Sequence, residues 1–265
     1  MKDSNIPGSG ATPAGATSEP EAARWVRGMF ARVAGSYDLA NHLLSLNIDR
    51  RWRAHTVNRV RQILSRPDAR VLDLCCGTGD LLLALETQAA GRVFLGADFC
   101  HPMLTAAARK IAQKHSRAAL FEADALTLPL RAASVDLVTI AFGFRNLANY
   151  GGGLREMLRI LRPGGMAAIL EFSQPPNRLF AAFYNFYSRK ILPAIGGLIS
   201  GDKEAYRYLP ESVRKFPAPD ELAAQMRAAG FTAVSYKRLT AGIVTLHIGE
   251  ILRQGREVAK DAKIN

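Results

Sequence analysis

The sequence predicts an α/β fold: a mostly parallel seven-stranded sheet with helices on both faces. Two observations predict it. From about residue 70 onward, short apolar runs alternate with helix-length segments, the pattern of β-α-β units. The first run, Val71-Leu72-Asp73-Leu74, breaks into Cys75-Cys76-Gly77-Thr78-Gly79-Asp80 and then a helix-compatible stretch, Leu81 to Glu86. A strand, a glycine turn and a helix start hold nucleotide-like ligands at a strand's carboxyl end, because glycine lets the backbone approach where a Cβ would clash.

The elements follow in order. Residues 1–20 are rich in Gly, Pro, Ser, Thr and Ala and read as a disordered tail, leaving 21–265 as one domain. Glu21 to Ala34 places Trp25, Met29, Phe30 and Val33 on one helical face. A second helix runs from Ile48 to Leu64 with Trp52, Val57, Val60 and Leu64 inward. After the glycine turn come a strand at Val93–Asp98, a helix from Pro102 to Lys114 and a strand at Ala119–Asp124. A fourth strand spans Val135–Phe142, a helix Leu154–Leu161 and a fifth strand Met166–Phe172. An insert at 175–218 carries an aromatic helix from Arg178 to Leu192, with Phe180, Phe183/Tyr184, Tyr187 and Ile191 in one stripe and Phe186 outside it. Core packing is the usual meaning of such a stripe; two apolar faces also suit a lid over an apolar substrate. A helix from Pro219 to Ala229 precedes two closing strands, Phe231–Leu239 and Ile243–Ile248, read as an antiparallel hairpin.

The glycine turn admits three readings. A dinucleotide fingerprint needs a third glycine where Leu82 stands. The acidic-strand-plus-glycine pattern resembles the first motif of class I S-adenosylmethionine (SAM) methyltransferases: Asp73, Gly77, Thr78 and Gly79 match, and Cys75 replaces the usual first glycine. A plain strand–helix turn is the third. Asp98, 19 positions beyond Gly79, ends the next strand, where a carboxylate accepts two hydrogen bonds from ribose hydroxyls. On the methyltransferase reading Asp124 and Ala125 meet the adenine, Phe99 stacks on it, and Thr78 lies beside the methionine carboxylate.

Thirty-five Lys and Arg against 23 Asp and Glu give +12, which favours an anionic partner, nucleic acid or membrane surface. The cations are scattered, which speaks against a basic nucleic-acid tail. Cys75, Cys76 and Cys100 make neither a disulfide framework nor a metal spacing, and Cys75 and Cys76 are expected on opposite faces of a strand. No signal peptide or membrane-length apolar run is visible, so a cytoplasmic protein, peripheral at most at the inner face of the membrane, is expected.

Further motifs carry a more specific resemblance, spanning roughly Phe30 to His247. They are Tyr37-Asp38-Leu39-Ala40-Asn41 with Ser45 and Trp52; Leu72 to Asp80; Phe142-Gly143-Phe144-Arg145-Asn146; and Arg159 to Ser173. Tyr206-Arg207-Tyr208-Leu209 with Ser212 and Phe216-Pro217, and Thr240-Ala241-Gly242 through His247, complete the set. Together they resemble the C-methyltransferases of ubiquinone and menaquinone biosynthesis. The chain departs from that family at Asn47 and Asp49, where glycine and histidine are common, and at Ala141, where serine is frequent.

The resemblance implies a class I SAM-dependent methyltransferase fold with N-terminal helices over 21–66. It implies SAM as co-substrate and methylation of demethylmenaquinol to menaquinol; the ubiquinone-pathway benzoquinol, or both quinols, is the alternative. A hydroquinone carbon becomes a competent nucleophile when a ring hydroxyl loses its proton. Arg145 is the first candidate to stabilise that phenolate and Tyr37 the second; a structural ion pair is the competing role for Arg145. Asp49 and His247 are weaker candidates, and His101 reads as a helix-start residue. Expected partners are a polyprenyl quinol, a membrane surface touched transiently and a second copy in a homodimer, with no nucleic acid and no metal. An RNA methyltransferase, another small-molecule methyltransferase and an inactive SAM-binding scaffold are the remaining readings; Ala141-Phe142-Gly143-Phe144 is not the N-P-P-Y-type loop of the first.

Overall fold

The computed structural model describes residues 10–187 and 202–252. Its strands are β1 (Arg70–Leu74), β2 (Val93–Asp98), β3 (Ala119–Glu122), β4 (Val135–Ala141), β5 (Leu161–Phe172), β6 (Ala233–Leu239) and β7 (Val244–Glu250). They form one sheet in the order β3-β2-β1-β4-β5-β7-β6. The first five run parallel, and β7 lies antiparallel between β5 and β6. The central strands are buried on both faces, which is why β4 reads as an unbroken apolar run apart from Asp136 and Thr139. The chain leaves β1 toward β2 on one side and returns to β4 on the other. That reversal opens a crevice at the carboxyl ends of β1 and β4.

Each face of the sheet has its own core. Val71 joins one with Val57 and Val60 of α3 (Ile48–Leu64) and Leu81, Leu82 and Leu85 of α4 (Asp80–Gln88). Leu72 and Leu74 join the other with Leu154 and Met157 of α6 (Tyr150–Ile160) and Leu222 and Met226 of the helix Pro219–Ala229. The alternation along β1 is the strand period of two. A third cluster joins Val26, Met29 and Val33 of α1 (Glu19–Val33), Met103 of α5 (His101–Gln113) and Tyr206 and Tyr208 of the helix Lys203–Lys215. It brings the N-terminal helix across the crevice.

Several details differ from the expectations. Residues 10–20, expected in a disordered tail, are held down. The Ala11 N–H donates to the Leu147 carbonyl at 2.7 Å, Lys215 Nζ donates to the Thr12 carbonyl at 2.7 Å, and Ser18 caps α1. Composition weighs apolar burial and does not see backbone pairing with a distant loop. Tyr37–Leu44 forms a helix, α2. Helix α6 starts at Tyr150, through three glycines, because the Asn149 side chain accepts from the Gly152 N–H and Gly153 packs where a Cβ would meet Leu147 at 2.6 Å. Cys75 and Cys76 lie beyond β1 in the turn, not in the strand, and all three cysteines are free. In the insert α7 spans Arg178–Phe186; residues 188–192 of the expected helix, Ile191 among them, lie outside the described residues. No helix among the described residues is long and apolar enough to cross a membrane.

Candidate functional site

Gly77 and Gly79 take φ of +56° and +85°, so the turn after β1 requires residues without a Cβ penalty. Cys75 is also left-handed, at φ +51°. Its Cβ sits where a side chain at Gly143 would collide, at 2.5 Å. The cysteine is therefore held strained against the end of β4. Cys75→Gly is expected to raise stability by about 0.5–1 kcal/mol, relief of the left-handed penalty outweighing glycine's entropy. A thermal melt checks this; a drop of similar size would show that packing of the thiol dominates.

The turn floors a cleft at the carboxyl ends of β1 and β4. Gly77, Asp98, Phe99, Asp124, Ala125 and Tyr37 all line it. Asp98 is buried, and each of its oxygens accepts a backbone N–H: Oδ2 from Gly77 and Oδ1 from Cys100, both at 2.9 Å. Burial raises its pKa, and the N–H bonds oppose the rise. Each carboxylate oxygen keeps a further acceptor site for a ligand. The Leu126 N–H holds Asp124 at 2.9 Å, and Arg27 lies over the Phe99 ring at 5.3 Å.

Three sequence-selected residues lie elsewhere. Asp73 accepts a 2.6 Å hydrogen bond from the Thr139 hydroxyl across β1 and β4, and it does not line the cleft. Burial pushes its carboxyl up to about 7 despite that bond. Gly79 starts α4 behind the turn. Thr78 is buried, with its hydroxyl donating to Asp38 at 2.5 Å. That bond belongs to a chain of charges. Lys110 bridges Asp38 at 2.7 Å and Asp80 at 2.5 Å, and Arg53 and His42 link Asp80 to Asp49. The network ties α2, α3, the glycine turn and α5 together. His42, Asp49 and Asp80 approach one another within 4.8 Å, but Arg53 and Lys110 already supply the cations there.

A second cavity, about 310 Å³ and mostly apolar, adjoins the first. Phe30, Tyr37 and Phe142 line both. Trp52 and Phe172 close one side, and Phe180, Phe183, Tyr184 and Tyr187 of the insert close another. The aromatic stripe therefore faces a cavity. Arg145 and Asp49 are among its few charged linings. Burial raises the Tyr37 phenol, against the pull of the Arg145 charge, and raises Tyr184 and Tyr208 to about 12, so all three hydroxyls stay protonated. Asp49 accepts from Ser45 at 2.6 Å and pairs with Arg53 and His42. Burial alone would raise its carboxyl; these partners outweigh that and hold it below the usual range.

Arg145 is the point where the scattered motifs meet. Its Nη1 donates to the Phe142 carbonyl and to Glu171 Oε1 at 2.9 Å, and its Nε donates to the Ser212 hydroxyl at 3.3 Å. Its guanidinium lies 5.4 Å from the centre of the Phe172 ring. Nη2 makes no hydrogen bond among the described residues. Tyr208 donates to Asn146 at 3.2 Å, and Trp52 donates to Thr240 at 2.8 Å. The ion pair with Glu171 and a place in the lining of the apolar cavity coexist in one side chain.

His247 and His101 line neither cavity. His247 is buried, and its neutral ring donates Nε2–H to the Pro219 carbonyl at 2.9 Å. Burial holds its pKa down at about 4. The unfolded chain takes up that proton first, so the stability is complete above about pH 6.5 and is lost as pH falls toward 4. Of order 3 kcal/mol is at stake. His247→Gln should flatten the decline between pH 6.5 and 4 in denaturant midpoints; an unchanged slope would place the loss elsewhere. His101 starts α5, exposed, 3.1 Å from Glu122.

The sequence reading missed Phe30, Met103 and Leu126 in the first cleft and most of the second cavity. The apolar face of α1 was legible, but nothing in it said which ligand-bearing crevice it would cross.

The family model described as the ubiE/COQ5 methyltransferase family matches residues 17–250. The chain is 49% identical to the demethylmenaquinone methyltransferase of Thermus thermophilus, over 84% of this chain and 99% of that protein. It is 45% identical to a protein of the same name from Deinococcus radiodurans, over 85% and 92%. It is also 45% identical to the ubiquinone/menaquinone biosynthesis C-methyltransferase of Syntrophotalea carbinolica, over 84% and 92%. Among solved structures, a SAM-dependent methyltransferase from Thermotoga maritima superposes with a TM-score of 0.60 at 17% identity, covering 85% of this chain and 99% of that one. One from Aquifex aeolicus gives 0.54 at 18%, covering 74% and 89%. At those identities the likeness is one of fold: the sheet is that of class I SAM-dependent methyltransferases.

Proposed function

The chain belongs to the ubiE/COQ5 methyltransferase family, and from that premise we propose that it methylates a ring carbon of demethylmenaquinol to give menaquinol, with SAM as methyl donor. The observation that carries the substrate class is the meeting of two cavities at Phe30, Tyr37 and Phe142, one with a carboxylate-bearing glycine turn and one large and apolar.

The residues of the first cleft fit SAM. Asp98 would take the ribose hydroxyls, Asp124 and Ala125 the adenine edge with Phe99 on its face, and Gly77 the amino-acid end through its backbone. Asp73, Thr78 and Gly79 would act from behind, by fixing the turn. Bound there, SAM supplies an electrophilic methyl on a cationic sulfur. The apolar cavity would hold the quinol ring and the start of its prenyl tail, exclude water and set the reacting carbon in line with the methyl. That carbon gains the methyl and gives up its proton, so the substrate must arrive reduced. Arg145, through Nη2, would stabilise the quinol oxygen as its proton leaves, and the protonated Tyr37 phenol would donate to the same oxygen. Ala141 offers no side-chain hydrogen bond in the first cleft, a loss of about 0.5–1.5 kcal/mol.

A second reading, methylation of a polyprenyl benzoquinol, is favoured by the joint ubiquinone/menaquinone naming of relatives such as the Syntrophotalea protein. The same function carries transient membrane contact, no nucleic-acid partner and a homodimer. Labelled SAM with each reduced quinol, followed by product mass, tests the assignment. Methylated naphthoquinol is expected; methylation of neither quinol would overturn it. Sedimentation velocity reads the assembly.

A further inference from the structure

Among the described residues, eight large apolar side chains are exposed, and six of them lie on two neighbouring segments. Leu39, Leu43 and Leu46 follow one line along α2 and the turn after it; Leu179, Phe183 and Phe186 follow one line along α7. Leu179, Phe183 and Phe186 are spaced i, i+4, i+7 on one face of α7; Leu39 and Leu43 are spaced i, i+4 on α2, with Leu46 in the turn beyond it. The two segments are adjacent: the Tyr187 hydroxyl, just past α7, donates to the Leu44 carbonyl at the end of α2 at 2.9 Å. Both reach the rim of the apolar cavity, because Leu46 and Phe183 are at once exposed, at 75% and 69%, and cavity-lining. Leu46 has φ +51°, in the region that favours glycine or asparagine. Arg50 and Arg51, four and five positions after Leu46, and Arg178, next to Leu179, are exposed and make no ion pair among the described residues.

We propose that these two helical faces form a docking surface for an anionic lipid bilayer. On this surface Leu39, Leu43, Leu179 and Phe186 enter the headgroup–acyl boundary and the three arginines meet the phosphates. The inference rests on the quinol reading above and names the surface through which that substrate enters. An apolar patch that continues into an apolar cavity gives a long hydrocarbon tail a path that never meets water. A patch elsewhere on the molecule would bury the same area and deliver nothing. Cations beside the patch, with no acidic partner, suit lipid phosphates better than a second copy of a chain carrying +12.

The test uses the full chain and two sets of vesicles, phosphatidylcholine alone and phosphatidylcholine with one third phosphatidylglycerol. The parent is expected to pellet with the anionic set and at least about tenfold less with the neutral set. The triple variant Leu43→Glu, Leu179→Glu, Phe186→Glu changes no side chain that lines either cavity. It is expected to lose roughly 30-fold or more in anionic-vesicle affinity. It should keep the parent's turnover of a water-soluble quinol with one isoprene unit and lose turnover of a long-tailed quinol held in vesicles. If three added charges lower the melting temperature, Leu43→Ser, Leu179→Ser, Phe186→Ser carries the same test with about a tenfold loss. Unchanged pelleting of the variants, a parent that pellets with neither set, or a variant that passes from dimer to monomer with pelleting unchanged would overturn the surface. Pelleting as expected from a parent that methylates no quinol would leave the surface standing and bring down the substrate reading instead.

Discussion

Glu171→Gln is expected to lower the unfolding free energy by about 3–5 kcal/mol, because it leaves the buried Arg145 guanidinium without its counter-charge. Arg145 and Glu171 are among the most buried charged residues described, at 6% and 1% exposure. Neither can turn to water when the other is changed. Glu171 accepts with both oxygens, Oε2 from the Arg145 backbone N–H at 3.1 Å and Oε1 from the Phe172 N–H at 2.8 Å; an amide keeps one acceptor, so the loss includes one of these bonds as well as the charge. The double variant Arg145→Met, Glu171→Gln removes both charges and is expected to regain about half or more of the stability. Its turnover should stay well below the parent's, since the Tyr37 phenol is then left without the guanidinium at the quinol oxygen. Urea denaturation and single-turnover methylation on the three proteins separate the roles. A stable double variant with parental turnover would reduce the pair to scaffolding and pass the phenolate to Tyr37.

Asp98→Ala is expected to weaken binding of S-adenosylhomocysteine about 100-fold or more. Two charge-assisted hydrogen bonds to the ribose, at about 1.5–3 kcal/mol each, amount to at least that factor. The variant also frees the Gly77 and Cys100 N–H groups that the carboxylate now holds, loosening the glycine turn. Calorimetric titration with a parallel thermal melt distinguishes the two effects. A dissociation constant within about threefold of the parent, with a lowered melt, would leave Asp98 as an anchor of the turn only.

Much of the fold was legible because its signals are local. The apolar strands, the glycine turn and the helix starts are each written in a few consecutive residues, and the alternation of strand and helix then restricts the sheet to a few topologies. Asp98, Asp124 and Ala125 were legible for the same reason, as residues at or beyond strand ends. Asp73 and Thr78 were misplaced as cleft residues. A strand's pleat and the path of the glycine turn decide which way a side chain points, and both of these point at partners from distant segments, Thr139 and Asp38.

The sequence by itself determined the fold class, the glycine turn and, through its motifs, the family. Only the tertiary structure decided what those motifs do for one another. Phe142 with Arg145, Glu171 and Ser212 come from three segments, Arg145 and Ser212 being 67 positions apart, and they converge because a buried guanidinium requires all its acceptors at once. The apolar cavity is likewise a property of no single segment. It is the space left where α1, α2, the aromatic insert and the ends of β4 and β5 fail to close on one another, and its volume depends on their relative placement. Local propensity sets each element; burial summed over distant elements sets the site.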